Sequence, residues 1–118
     1  MATEFSADMM ELQVEERGPD VRVVTVLGEV DTVTAPDLAA VLTAQLATAQ
    51  LVVVDLDGVE FFGSAGLQVL VDANELAVRD DRSLRLVCHA RMVNRTLEVS
   101  DLRGRFIFFD NVENAVQD

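Results

Sequence analysis

Ser64 is the residue whose type and setting offer the most direct chemistry. It stands in the segment Gly63-Ser64-Ala65-Gly66-Leu67, between an apolar run and a long stretch of helical periodicity. This setting predicts a helix N-terminus, where free backbone N–H groups and the helix dipole favour negative charge. A phosphate on Ser64 would find hydrogen-bond donors close by. The flanking Gly63 and Gly66 would let another surface approach the backbone.

Two other interpretations of Ser64 stay open on the residues alone. A serine is a common helix cap, so a purely structural role is one of them. The other is a nucleophilic serine, for which His89, the single histidine, would be the base. The spacing around Ser64 departs from the G-x-S-x-G elbow of hydrolases, and no second acid–base group is clearly placed. We therefore assign no catalytic residue and expect that the protein is not an enzyme.

The charge of the chain narrows the classes of partner. The formal net charge is −12, and all nine basic residues are arginine. Nucleic-acid affinity comes mainly from phosphate neutralisation, so an acidic chain of this kind is not expected to bind nucleic acid. The absence of lysine also excludes a P-loop and a protein kinase, both of which need one.

Cysteine and histidine usage argues against a metal centre and against disulfides. Cys88 and His89 are each the only residue of their type, so they cannot form a zinc site by themselves. Cys88 lies in an apolar run and is expected to be a small buried hydrophobic residue. No apolar stretch approaches the roughly 20 residues of a membrane span. We therefore expect a cytoplasmic protein with no metal, no cofactor and no membrane contact.

The periodicity along the chain predicts a single α/β domain over residues 1–118, of which 1–8 are expected to be loosely ordered. Strands alternate with helices, which favours a mixed, mostly parallel sheet of four to five strands with about four helices packed on it. The first two strands are expected to form a hairpin. The predicted strands are Leu12–Val14, Val21–Leu27, Leu51–Leu56, Leu84–Cys88 and Arg105–Phe109, and the predicted helices are Thr34–Thr48, Ser64–Arg79, Arg91–Ser100 and Asn111–Val116.

Three passages resemble the STAS domain, specifically the bacterial anti-sigma factor antagonists. Gly28-Glu29-Val30-Asp31 resembles the family's Gly-Glu-hydrophobe-Asp after its second strand. Val52–Phe62 resembles its buried strand and the turn that follows. Ser64-Ala65-Gly66-Leu67 resembles its Asp-Ser-Ser/Ala-Gly-Leu without the Asp. The three passages, in this order and at these distances, extend the resemblance over nearly the whole chain and imply the STAS fold.

The resemblance implies a partner-switching function. Ser64 takes the position that the family phosphorylates. The unphosphorylated form would bind an anti-sigma factor with serine kinase activity and so release a sigma factor. Phosphorylation would end that binding, and a PP2C-type phosphatase would restore it. The implied partner-binding residues are Glu29, Asp31, Gly63, Ser64, Ala65, Gly66 and Leu67. For the two acids, an ordinary solvated turn is the alternative.

Departures from the family pattern keep a second function open. Gly63 stands where the family has Asp before the serine, a departure that would weaken recognition by the kinase. The alternative is a non-phosphorylated STAS scaffold or ligand-binding module in a larger signalling or transport assembly. Asp101 stands where the family has Gly near the C-terminus, and we expect a structural adjustment there. The oligomeric state is left open between a monomer and a weak homodimer.

Overall fold

The computed structural model describes residues 2–7 and 9–117, which form six strands and four α-helices around one sheet. The strands are β1 (Ala2–Ala7), β2 (Met10–Glu16), β3 (Val21–Val30), β4 (Leu51–Phe62), β5 (Ser83–Val87) and β6 (Ile107–Phe109). The helices are α1 (Ala35–Thr48), α2 (Ser64–Arg79), α3 (Arg91–Val99) and α4 (Val112–Ala115), and a 3-10 turn spans Arg103–Arg105.

The strands lie in the sheet in the order in which they occur in the chain. β1, β2 and β3 pair antiparallel, and β3, β4, β5 and β6 pair parallel. The parallel pairs need crossover connections, which α1, α2 and α3 supply. The predicted α/β class and the hairpin of β2 and β3 are therefore confirmed.

The N-terminal segment corrects one expectation. Residues 1–8 were expected to be loosely ordered, but Ala2–Ala7 form a strand that pairs with β2, from Ala2 opposite Glu15 to Ala7 opposite Met10. Backbone hydrogen bonds to an open sheet edge need no apolar pattern, so the sequence carries no periodicity that would predict this strand. Residues 1 and 8 lie outside the described part. The sheet therefore has one strand more than the four to five expected.

The core is divided between the two faces of the sheet. The main core lies between one face and helices α1, α2 and α3, and its strand residues include Val24, Val52 and Leu86, all fully buried. On the other face, α4 places Ala115 in a smaller cluster with Val23, Leu51, Val53 and Val87. None of the helices in the described ranges is long and apolar enough to cross a membrane.

Strand β4 is longer than the sequence predicts. The apolar run predicted a strand over Leu51–Leu56 followed by a turn, but β4 continues to Phe62. Two register shifts against β3 each leave one extra residue on β4. In the first shift Thr25 pairs with Asp55 but Leu27 with Gly58, and in the second Gly28 pairs with Val59 but Glu29 with Phe61. Bulges of this kind interrupt the alternation that would reveal a strand. The extension brings the strand end directly to Ser64.

The end of α3 explains the aspartate at position 101. Asp101 has a left-handed backbone, with φ of 61°. Its N–H donates to Glu98 O, and the N–H of Leu102 donates to Leu97 O, which is the Schellman pattern. The position thus needs a residue that tolerates positive φ, and the expected structural adjustment is confirmed. The strand predicted over Arg105–Phe109 begins only at Ile107, because the 3-10 turn ends at Arg105.

Gly28 gives a stability prediction. It has φ of 94°, and a side chain there would collide with Met9 O, which accepts a hydrogen bond from Glu29 N–H (2.7 Å). We expect Gly28→Ala to lower the free energy of unfolding by at least about 1–3 kcal/mol, measured by urea denaturation.

Two matched variants separate the causes of that loss. Gly18 also has positive φ but has open space around it, so Gly18→Ala measures backbone strain alone. Gly104 has open space and no positive φ, so Gly104→Ala should be neutral or slightly stabilising. Equal losses for Gly28→Ala and Gly18→Ala would contradict a role for the Met9 contact.

Candidate functional site

The site forms where the parallel strands β3 and β4 end. The N–H of Gly63 donates to Val30 O (3.1 Å), so the two strand ends are tied together. Gly63 is the N-cap of α2, and Ser64 is its first residue. From the other side, the Thr96 hydroxyl of α3 donates to Phe62 O (2.9 Å). Bonds from β3 and α3 therefore hold the end of β4 and Gly63, just before Ser64.

Ser64 presents an unused hydroxyl at the surface. The residue is exposed, and within the described part of the chain its hydroxyl has no hydrogen-bond partner. The N–H groups of Gly66 and Leu67 donate to Gly63 O, whereas those of Ser64 and Ala65 have no acceptor in the described ranges. Gly63 has no side chain that could cap the helix. The positive end of α2 is thus open to solvent beside Ser64.

Gly66 and Leu67 do not belong to the exposed surface, contrary to expectation. Both are buried, and Leu67 packs in the main core. A Cβ on Gly66 would lie 2.7 Å from the Phe62 ring and 2.8 Å from Val30 Cγ1. The glycine therefore lets α2 pack closely on its own sheet rather than on another molecule. These two residues support the first turn of α2 from below and leave the exposed part of the site to their neighbours.

Asp31 organises the loop between β3 and α1. Its Oδ1 accepts hydrogen bonds from the N–H groups of Val33 (2.9 Å) and Thr34 (3.0 Å). These bonds favour the carboxylate, the Thr34 N–H most of all, and hold the pKa of Asp31 below its ordinary value. The hydroxyl of buried Thr34 donates to Glu29 O (2.9 Å), which closes the loop. Asp31 thus has a structural role in its own turn, although its carboxylate is hydrogen-bonded rather than only solvated.

The remaining predicted residues come together at one edge. Glu29 pairs in register with Phe61, two residues before Gly63, and its side chain has no hydrogen bond or ion pair among the described residues. Gly63 and Ala65 are half-buried on either side of Ser64. The structure therefore places Glu29, Gly63, Ser64 and Ala65 at the same end of the sheet.

The nucleophilic-serine alternative gains no support from the geometry. His89 Nδ1 lies 3.1 Å from Asp57 Oδ1, and no hydrogen bond joins His89 to Ser64 within the described part. A serine nucleophile needs such a bond to its base. Cys88 is buried, as expected, and burial raises the pKa of its thiol to about 11. The described residues contain no group of three metal-ligating side chains.

Two features of the site were missed by the sequence analysis. The side chain of Phe61 is 42% exposed although Phe62 beside it is buried, because successive strand residues point to opposite faces. Two adjacent phenylalanines in a strand indicate that one ring faces outward, but the bulges prevent the sequence from showing which one. The bond from Thr96 to Phe62 O had no sequence signal, since it joins residues 34 positions apart.

Comparison with known proteins identifies the family. Residues 11–115 match the STAS domain, which is most of the chain. The chain belongs to the STAS domain family. The match covers β2 through α4 and therefore includes the whole edge around Ser64.

Solved structures agree with this STAS assignment. An anti-sigma factor antagonist from Mycobacterium paratuberculosis is 30% identical, with a TM-score of 0.82 and 94% of each chain covered. The Bacillus cell fate determinant SpoIIAA in its phosphorylated form is 14% identical, with a TM-score of 0.71, covering 89% of this chain and 96% of SpoIIAA. That second likeness concerns the fold alone. No curated protein sequence matches the chain significantly.

The lowered pKa of Asp31 leads to a pH-dependent stability prediction. A carboxyl whose pKa is depressed by folding stabilises the protein above its unfolded pKa of about 3.9 and loses that contribution as pH falls through the lower folded pKa. We expect Asp31→Ala to be less stable than wild type at pH 7 and the difference to shrink below about pH 4.

Asp31→Asn is the matched control, because its side-chain oxygen can still accept both loop N–H bonds. We expect it to lose less stability than Asp31→Ala at neutral pH. Denaturant titrations between pH 3 and pH 7 measure both effects, and a gap between wild type and Asp31→Ala that stays constant over this range would contradict the assignment.

Proposed function

We propose that this STAS domain is an anti-sigma factor antagonist switched by phosphorylation of Ser64. In the unphosphorylated form it binds an anti-sigma factor that is also a serine kinase, and so releases a sigma factor. The observation that carries the proposal is the exposed, unpartnered Ser64 hydroxyl at the first residue of α2, on an edge shared with Glu29 and Ala65. The similarity to the mycobacterial antagonist, at 30% identity over 94% of both chains, supports the same function.

The switch follows from charge at the centre of the contact. The kinase transfers the γ-phosphoryl group of ATP to Ser64 Oγ, the hydroxyl proton leaves to the kinase base, and ADP is released. The phosphate adds about −1.5 to −2 charges to a surface that already contains Glu29. A loss of about 3 kcal/mol at this position would weaken binding more than about a hundredfold.

The fold need not change when Ser64 is modified. The backbone on the N-terminal side is held by the hydrogen bonds from Gly63 N–H to Val30 O and from the Thr96 hydroxyl to Phe62 O. The free N–H groups of Ser64 and Ala65 can donate hydrogen bonds to the phosphate. We therefore expect local repulsion of the partner without rearrangement. In this scheme the protein is a substrate and not an enzyme. ATP and Mg²⁺ belong to the kinase, and a PP2C-type phosphatase removes the phosphate.

The decisive experiment maps the phosphate and measures binding. Purified wild type and Ser64→Ala are incubated with ATP and each anti-sigma factor kinase encoded in the same genome, followed by intact-mass spectrometry and site mapping. We expect one phosphate on wild type and none on Ser64→Ala. Calorimetry should show that phosphorylated wild type binds the same kinase at least about a hundredfold more weakly than the unphosphorylated form.

Other results of this experiment would lead to a different functional assignment. Tight binding without any phosphate would indicate a constitutive antagonist. Neither phosphate nor binding across the panel would contradict the proposal and favour the STAS scaffold or ligand-binding module, for which Gly63 is the supporting residue.

Substitution of Gly63 tests the electrostatics next to the phosphate. Position 63 has an ordinary φ of −93°, and an added Cβ would lie 3.3 Å from the exposed Phe61 ring and 4.0 Å from Val30 O. Gly63→Asp and Gly63→Asn both supply a helix cap, so each should stabilise the unphosphorylated protein by a few tenths of a kcal/mol. In the phosphorylated protein only the aspartate repels the phosphate, so Gly63→Asp should lose this gain and Gly63→Asn should keep it. Urea denaturation of the phosphorylated and unphosphorylated forms measures these differences in the free energy of unfolding. Equal stabilities of the two variants after phosphorylation would argue against repulsion between the introduced carboxylate and the phosphate.

A further inference from the structure

The second face of the sheet is covered over only part of its area. Helix α4 covers the half that contains Val23, Val53 and Val87. In the other half, near the strand ends that lead to Ser64, Leu27 is half-buried and Phe61 is 42% exposed. The described helices do not reach this half, because α1, α2 and α3 pack on the opposite face.

Phe61 is joined to its surroundings by the sheet register. Its ring lies 3.3 Å from the position of a Cβ on Gly63, so it borders the residue before Ser64. Across the sheet it pairs with Glu29, and Glu29 N–H bonds to the carbonyl of Met9 (2.7 Å), whose side chain is 66% exposed. Backbone bonding and register therefore place Met9, Glu29 and Phe61 in a row that leads to Gly63 and Ser64.

The charge around this row is negative. Glu29 belongs to the row and exposed Glu60 precedes Phe61, and neither makes an ion pair among the described residues. The chain as a whole has 21 acidic residues against nine basic ones. An exposed aromatic ring with acids beside it is complementary to an apolar pocket bordered by basic side chains. A second copy of this chain is a poor fit, since it would bring acids against acids.

We propose that the anti-sigma factor also docks on this surface, formed by Met9, Leu27, Glu29, Glu60 and Phe61 and called the Phe61 surface below. Phe61 inserts into an apolar pocket of the anti-sigma factor, and basic residues around that pocket contact Glu29 and Glu60. The inference rests on the proposed function and extends it, because it states which side of Ser64 the partner covers. The face of α3 that lies away from β4 is then outside the contact.

The test measures how tightly variants at exposed positions inside and outside the Phe61 surface bind the anti-sigma factor kinase that phosphorylates Ser64. Phe61→Ala should weaken binding at least about tenfold, as expected for a central aromatic anchor. Met9→Asn should weaken it severalfold, and asparagine suits the left-handed backbone at position 9. Val78→Ala removes an apolar side chain on α2 that is more exposed than Phe61 and lies far along the helix from Ser64, and it should have no effect.

Charge substitutions test the basic border of the pocket. Glu29→Gln and Glu60→Gln should slow association and reduce its dependence on salt, whereas Glu75→Gln on α2 should leave both unchanged. Surface plasmon resonance at several salt concentrations measures these rates. Circular dichroism and denaturation confirm that each variant folds.

The outcomes distinguish this inference from the proposed function. Tight wild-type binding that Ser64 phosphorylation abolishes, but that Phe61→Ala and Met9→Asn leave unchanged, would overturn the Phe61 surface and keep the function. No binding of wild type to any kinase of the panel would overturn both. A wild-type dimer in light scattering that Phe61→Ala dissociates would make this surface a self-association interface and overturn the inference.

Discussion

The close packing of the first turn of α2 on the sheet is the constraint on which the site depends. Gly66 has no side chain, so the helix lies directly on Val30 and Phe62, the last residues of the two parallel strands. A methyl group there would lie within 2.8 Å of both side chains and would lift the helix from the sheet. The height and direction of Ser64 above the strand ends follow from this contact. The bond from Gly63 N–H to Val30 O then fixes where the helix begins.

The site separates the groups that hold the fold from those that can meet a partner. Phe62 and Leu67 point into the main core, whereas Phe61 and Ser64 face outward from neighbouring positions of the same strand and helix. Asp31 and Thr34 use their oxygens to close the loop before α1. The proposed phosphate at Ser64 would therefore change the charge of a preformed surface, and the groups that keep the surface in shape would remain hydrogen-bonded.

Prediction from sequence succeeded where the pattern is local and failed where pairing is distant. The helices α1 and α2 follow from apolar spacing and, for α2, from Ser64 near its start, and the structure begins them at Ala35 and Ser64. The extension of β4 was missed because each bulge shifts the side-chain alternation by one residue. Strand β1 was missed because its partner is the backbone edge of β2, which selects no residue type.

The same division applies to the function. The residues by themselves determined an acidic α/β domain without lysine, the three passages of the STAS family, and Ser64 at a helix start. These features depend only on composition and short-range spacing, which need no knowledge of tertiary contacts. Only the tertiary structure decided that Gly66 and Leu67 are buried, that Asp31 serves its own loop, and that Phe61 is exposed beside Glu29. Burial and register depend on which strands pair and where the bulges fall, and these are properties of the assembled sheet rather than of any local segment.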